Sequence, residues 1–267
     1  GAGTDTYTGG EGSADIFVLG TQSAADGDTI TDFATGEDIV LTLDYSTISS
    51  GLNIHVDRAS AGVATSAVAA ALSGVRGSYL YDTTLSQLQV DLNGDSSITS
   101  ADIRVNVNAN ATAANTIAVD DLAFSITGGA GADTIVGDDQ ADTIVGGGGA
   151  DVLTGGAGAD SITGGDGADT ITGGAGADLI TLTATGADQT DVLLYGSGVA
   201  ALETGDLGGT VASTKISVAS IGDIVTGFTD VDKIDISHLS LTNKSVAALR
   251  DLGDSLNLSA LTSADFF

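Results

Sequence analysis

The chain is 267 residues long, enough to bury the core of one domain or two, and its 42% hydrophobic content argues against wholesale disorder. Its 36 acidic residues face only 7 basic ones, a formal net charge of −29 that leaves no basic patch for nucleic-acid phosphates. The absence of cysteine excludes disulfides, thiolate metal sites and thiol redox chemistry, and no apolar run approaches the roughly 18 residues needed to cross a bilayer.

The acidity is almost all aspartate, since only Glu11, Glu37 and Glu203 are glutamates. A surface acidic for solvation alone would use glutamate freely. Aspartate suits turns and carries hard oxygen ligands on a short arm, so the bias points to calcium. The opening GAGTDTYTGG has neither the basic region nor the apolar segment of a classical secretion signal. Residues 1–8 (GAGTDTYT) and 9–18 (GGEGSADIFV) read as one truncated and one expanded copy of a unit that recurs downstream, with Asp5 and Asp15 before short strands. A chain that starts inside a repeat reads as a fragment of a larger protein. Next, GDTITDFATGEDIVLTL (27–43) alternates apolar residues such as Ile30, Ile39 and Leu41 in the manner of strands with one buried face, with Phe33 as a core anchor. The Ala-rich stretch 59–75 is predicted to form a small helix that carries no chemistry.

In QLQVDLNGDSSITSADIRVNVNAN (87–110), the segment DLNGDSSITSAD places carboxylate, amide and hydroxyl groups at loop positions 1, 3, 5, 7, 9 and 12, a spacing that wraps one Ca2+. It resembles the calcium loop of EF-hands and dockerins, which implies Asp91, Asn93, Asp95, Ser97, Thr99 and Asp102 as ligands, Thr99 through water. Two residues depart from that pattern: Ser96 stands where glycine is expected at position 6, and Asp102 replaces the bidentate glutamate. Strand-like QLQV and IRVNV flank the loop in place of helices. The alternative is an Asn-Gly β-turn joining two strands.

Residues 128–181 are six nine-residue units in unbroken register: GGAGADTIV, GDDQADTIV, GGGGADVLT, GGAGADSIT, GGDGADTIT and GGAGADLIT. Asp133, Asp142, Asp151, Asp160, Asp169 and Asp178 hold the sixth place, and Ile135, Ile144, Leu153, Ile162, Ile171 and Ile180 the eighth. Each unit reads as a turn plus a short strand, with glycines that permit positive φ and one aliphatic side chain turned inward. A flexible linker would not keep that phase. One buried aliphatic group, at roughly 1.5–3 kcal/mol, cannot offset roughly 1–2 kcal/mol of backbone entropy for each of nine residues. Stacked aspartates about 4 Å apart add a repulsion of about 4 kcal/mol at an effective dielectric near 20. Something outside the chain must supply the cohesion.

The pattern is similar to the calcium-binding nonapeptide repeats of RTX proteins, which form a parallel β-roll. That resemblance implies Ca2+ ions between units two apart, held by main-chain carbonyls and paired carboxylates: Asp133 with Asp151, Asp142 with Asp160, Asp151 with Asp169, and Asp160 with Asp178. Gly128, Gly131, Gly146, Gly155, Gly164 and Gly173 join them as ligand residues. The second unit departs from the family pattern, with Asp138 and Gln140 in glycine places. Asp5 and Asp15 follow as further ligands, with stacking partners expected outside this chain. Replacing Asp160, which would serve two metals, is expected to cost more than replacing Asp178 at the end of the array.

Beyond the array, TGADQTDVLLYGSG (185–198) parallels GSADIFVLGTQS (12–23), and GDIVTGFTDVDKIDISHL (222–239) parallels 27–43, with Ile224, Ile234 and Ile236 alternating and Phe228 as the second anchor. The chain reads as a duplication, module one over 1–127 and module two over 128–267, the latter divided into the roll at 128–181 and a capping region at 182–267. These shared signatures resemble the segment after the β-roll in serralysin-type proteases and RTX surface-layer proteins. That implies an all-β chain of β-roll and β-sandwich-like caps, with Asp28, Asp38, Asp223 and Asp232 as further calcium ligands or solvated turn residues. A short helix is predicted over 244–252, stopped by Gly253. The closing ADFF fits either a native terminus of the kind read by type I secretion or a chain cut short.

No catalytic constellation accompanies this. His55 and His238 are the only histidines, neither His-Glu-x-x-His nor Gly-x-Ser-x-Gly occurs, and the sequons at Asn110, Asn243 and Asn257 read as chance matches. The expected function is structural: a calcium-binding element of the bacterial cell surface, like an S-layer protein or RTX adhesin, secreted unfolded and folded by extracellular calcium. The alternative is the C-terminal folding and secretion module of an exoenzyme or toxin. Expected partners are further copies in a lattice or filament and cell-surface polysaccharide, with neither nucleic acid nor membrane insertion.

Overall fold

Strands form where the sequence alternates a large apolar side chain with a small polar one, because a pleated backbone sends neighbours to opposite faces. The computed structural model describes residues 3–10, 15–20, 27–34, 37–56, 76–82, 85–99, 101–107, 121–182, 190–194, 211–212, 215–217, 223–227 and 232–235. Their regular structure is almost entirely β, with no α-helix among them. The chain divides into two compact units, one of residues 1–45, 53–127 and 136–140, the other of 46–52, 128–135 and 141–267.

The first unit contains β1 (Thr6–Tyr7), β2 (Ile16–Leu19), β3 (Asp28–Ile30), β4 (Asp38–Asp44), β5 (Asn53–His55), β6 (Tyr79–Asp82), β7 (Gln87–Val90), β8 (Ile103–Val107) and β9 (Leu122–Thr127). From β1 to β4, consecutive strands alternate between two sheets. β1 pairs in parallel with β3 and β3 with β8, while β2 pairs in parallel with β4 and β4 with β9. β8 continues through antiparallel β7 and β6. For β1–β3 and β2–β4 the intervening strand serves as the crossover that parallel pairing requires. Register stacks Phe17 on Ile39, Ile39 on Leu122, and Leu41 on Phe124, all buried. Phe33 is buried with its ring 6.2 Å from that of Phe17, and Tyr79 packs 5.3 Å from Phe124.

The second unit contains β10 (Thr134–Val136, whose first two residues belong to it), β11 (Thr143–Gly148), β12 (Val152–Ala157), β13 (Ser161–Asp166), β14 (Thr170–Ala175), β15 (Leu179–Thr181), β16 (Val192–Leu194), β17 (Val211–Ala212), β18 (Lys215–Ser217), β19 (Ile224–Thr226) and β20 (Lys233–Asp235). Even-numbered β10, β12, β14, β16 and β20 follow one another in one sheet. Odd-numbered β11, β13, β15 and β19 form a second parallel run that ends in antiparallel β18 and β17. Ile144, Ile162, Ile180 and Val225 make one buried column, and Leu153, Ile171 and Leu193 the other. Two nonapeptides therefore complete one coil of a parallel β-roll.

Among the described strands of 27–43 and 182–267, β3, β4, β16, β19 and β20 join parallel runs and do not form the expected sandwich-like caps. β3 and β4 are parallel rungs of the first unit, and β16, β19 and β20 stack in register on the roll. Alternation of apolar residues is common to both architectures; the choice of partner strand separates them, and that is a long-range property. The helices predicted over 59–75 and 244–252 lie outside the described residues, as do Phe228 and Ile236.

Candidate metal centre

Each strand of the roll runs from the seventh place of one nonapeptide to the third of the next, so the eighth-place aliphatic residue and the first-place glycine both face inward. The glycine is required there by the aspartate that follows. A Cβ on Gly146, Gly155, Gly164 or Gly173 would strike Oδ2 of Asp151, Asp160, Asp169 or Asp178, and one on Gly128 would meet both Asp133 Oδ2 and the Gly146 carbonyl. The same convergence places the Gly164 carbonyl beside Asp151 Oδ2 and the Gly173 carbonyl beside Asp160 Oδ2. Gly131 packs against the backbone of Ser50 and Gly51.

The second- and fourth-place glycines are held in the left-handed region, for example Gly147 at φ 108°, Gly149 at 113°, Gly165 at 109° and Gly167 at 143°. At these positions a Cβ would also collide with the carbonyl of the glycine one coil earlier, so both backbone angle and space exclude a side chain.

Two ladders of aspartates result, bonded through their own backbones. The Asp133 N–H donates to Asp151 Oδ1 at 2.8 Å, Asp151 to Asp169 at 2.9 Å, Asp169 to Asp191 at 2.8 Å and Asp191 to Asp232 at 2.9 Å. On the other edge Asp142 donates to Asp160 at 2.8 Å, Asp160 to Asp178 at 2.9 Å and Asp178 to Asp223 at 3.0 Å. All nine aspartates on these rungs, inside the array and beyond it, are buried. The pairs implied by the sequence resemblance are thus neighbours, and Asp191, Asp223 and Asp232 extend both ladders past residue 181.

This arrangement is electrostatically incomplete. Oδ2 of Asp151 and Oδ2 of Asp169 are buried with no hydrogen-bond partner. Burial pushes the Asp151 carboxyl up to about 7, against the opposing Asp133 N–H and with the Asp169 and Asp133 charges adding to the rise. Asp169 is raised as well, chiefly by burial, with the Asp151 N–H opposing. A hard divalent cation fits this donor set, since carboxylate and carbonyl oxygens converge over glycines with no side chain to fill the space. Among the described residues no three Asp, Glu or His side chains gather at one point. A cation here would therefore draw much of its shell from main-chain carbonyls.

The loop 91–102 joins β7 and β8, an antiparallel pair that closes at Val90 and Ile103. Asp91 and Asp102 are buried; Asp91 accepts from the Gly94 and Ser96 N–H groups at 2.7 and 2.8 Å, and Asp102 from Leu92 N–H at 3.0 Å and Thr99 N–H at 2.8 Å. Asn93 and Asp95 bond each other, Asp95 accepts the Ser97 N–H, and Thr99 Oγ1 donates to Asp102. Ser96 has φ 63°, the conformation for which a calcium loop places glycine at position 6. Tyr45 Oη and Arg76 hold the Leu92 carbonyl.

The two copies of the G-D-x-x-T signature act alike. In the first unit the Asp5 N–H donates to Asp28 Oδ1 at 2.7 Å, as Asp178 does to Asp223 in the second; Tyr7 adds an O–H to Asp28 Oδ2. Asp5 thus finds its partner within this chain. Asp28, Asp223 and Asp232 are buried and not solvated turn residues, whereas Asp38 is exposed. The departure at Asp138 also has a structural use: it accepts the Tyr79 O–H at 3.1 Å and the Gln140 N–H at 2.9 Å. Asp191 was not evident from the sequence because its turn lacks the glycine pattern; an aspartate two places before an aliphatic residue was the signal it left.

Residues 125–153 and 145–180 match the family model of the RTX calcium-binding nonapeptide repeat, in four copies. This segment is an array of RTX repeats. No curated protein matches the chain.

Proposed function

We propose that this protein is a calcium-folded structural element of the bacterial cell surface, of the S-layer or adhesin type, exported unfolded by a type I system and assembled outside the cell. The observation that carries the reading is the pair of buried aspartate ladders, in which like charges are stacked at the core of a glycine-rich roll. Bound calcium would supply the opposing charge and the oxygen coordination that these ladders lack. The residues of this chain do the rest: first-place glycines seat the carboxylates, second- and fourth-place glycines bend the turns, and the aliphatic columns keep coils in register. Metal affinity is then folding free energy. Each site at 100 times its dissociation constant adds about 2.7 kcal/mol, so several sites give a steep transition.

A non-catalytic role goes with this reading, since the ladders place their acids against backbone. Lateral partners would be further copies of the protein, with surface polysaccharide as anchor. Among the described residues no helix is long and apolar enough to cross a membrane. The test is far-UV circular dichroism and light scattering recorded together as calcium is added to chelator-treated protein. Folding followed by growth into ordered particles supports the surface-layer reading. Folding that stops at a monomer favours a secretion and folding module, and absence of folding overturns both.

A further inference from the structure

In the first unit, the bond that stacks one coil on the next recurs between β2 and β4. The Asp38 N–H donates to the Asp15 carbonyl at 3.0 Å, as the Val152 N–H donates to that of Asp133 at 2.8 Å. With Ile16 opposite Asp38, the residue one coil beyond Asp15 in ladder register is Glu37. The bare Cα of Gly9 lies against Asp15 Oδ2, repeating the contact of Gly146 with Asp151. Glu37 is only 1% exposed; its Oε2 accepts the Ala34 N–H at 2.7 Å, while its Oε1 is buried with no hydrogen-bond partner. Asp15 Oδ2 is likewise buried and unpartnered. The two carboxyl groups lie within hydrogen-bonding reach of each other. Ionised carboxylates only accept, so neither can satisfy the other; a positive charge or a proton must stand between them.

We propose that Asp15 and Glu37 form a further divalent-cation site, of the hard, calcium-like class, in the first unit and outside the residues 125–180 that match the repeat family. Glu37 takes the ladder position that aspartate fills elsewhere, on a longer arm. Burial foremost, with the Asp15 and Asp32 charges adding to it and the Ala34 N–H opposing, holds the Glu37 carboxyl above its usual range. A divalent cation between the two carboxyl groups coordinates the unpartnered oxygen of each and opposes both charges at once, which one shared proton does not. The proposal rests on the calcium reading above.

The experiment counts calcium ions per full-length chain by titration calorimetry for wild type, Glu37→Gln, Asp15→Asn and the double variant, with circular dichroism confirming the fold at saturating calcium. Each single variant is expected to lose one ion, and the double variant also one. Unchanged stoichiometry in a folded single variant overturns the proposal and leaves a proton as the group that joins the pair. Should Glu37→Gln not fold, Asp15→Asn reads the same site by the same criterion. A wild-type chain that binds no calcium overturns the ladder reading itself, an outcome distinct from loss of this one site.

Discussion

The backbone N–H of Asp151 donates to Oδ1 of Asp169 at 2.9 Å, while Oδ2 of both carboxylates is buried without a partner. Asp151 and Asp169 thus each use one oxygen to hold the coil before them and keep the other buried, whereas Asp133 at the start of the array has both oxygens bonded, Oδ1 to the Leu52 N–H and Oδ2 to the Gly129 N–H. The same chain of bonds runs from Asp160 through Asp178 to Asp223. Asp178 is therefore an internal rung and not the end of its ladder. Asp160→Ala and Asp178→Ala are expected to shift the calcium midpoint of folding to similar extents, within about twofold of each other. A calcium titration followed by circular dichroism decides this, and a much milder Asp178→Ala would show that the ladder stops at the array.

Acid should have opposite effects on the metal-free and calcium-loaded protein. A carboxyl raised to about 7, as at Asp151, stabilises the metal-free fold fully below its unfolded value of about 3.9, and that contribution is lost as pH rises through about 7. The metal-free protein is expected to gain β-type dichroism as pH falls from 8 to 5. Calcium affinity should fall over the same interval, because ligating carboxylates must be deprotonated. Dichroism at fixed pH values, in metal-free buffer and then with calcium, reads both trends.

Gly165 and Gly148 separate the demands on turn glycines. Gly165 has φ 109° and faces the Gly147 carbonyl, whereas Gly148 lies outside the left-handed region and a Cβ there would make only ordinary van der Waals contacts, with the Ala130 Cα and the Asp166 carbonyl. Gly165→Ala is expected to lower stability in calcium by about 2 kcal/mol or more, from the left-handed backbone cost plus the clash. Gly148→Ala should be near neutral, as Ala157 and Ala175 already hold its place in later units. Thermal unfolding of both variants checks the contrast.

Ser96→Gly should strengthen the 91–102 loop. A non-glycine residue at φ 63° carries roughly 1–2 kcal/mol of strain that glycine does not. Part of that gain is offset by the greater freedom of glycine in the unfolded chain, so the expected net rise is about 0.5–1 kcal/mol. Denaturant unfolding at saturating calcium measures it.

Asp138→Gly restores the glycine of the repeat pattern and is nonetheless expected to destabilise the protein. The substitution removes the acceptor of Tyr79 Oη and of the Gln140 N–H, a loss of about 1–3 kcal/mol. Tyr79→Phe, which removes only one of those bonds, should cost less. Chemical denaturation of the two variants ranks them.

Much of this protein is written locally. A strict nine-residue phase of Gly, Asp and one aliphatic side chain dictates turn, strand and inward face within a single unit, so the roll, its eighteen-residue stacking distance and the calcium chemistry of 128–181 follow from the sequence alone. The aspartate and asparagine spacing of 91–102 is local in the same way. What the tertiary structure decided are the partners separated by irregular lengths of chain: Asp5 with Asp28, Asp15 with Glu37, Asp169 with Asp191, and Asp178 with Asp223. Those intervals carry no periodicity. Only parallel strand register, which aligns Ile16 with Asp38 and Leu179 with Ile224, brings such residues onto the ladders. Alternation marks a strand and its buried face, but pairing is selected by the packing of whole coils, and that choice made β16, β19 and β20 further rungs of the roll.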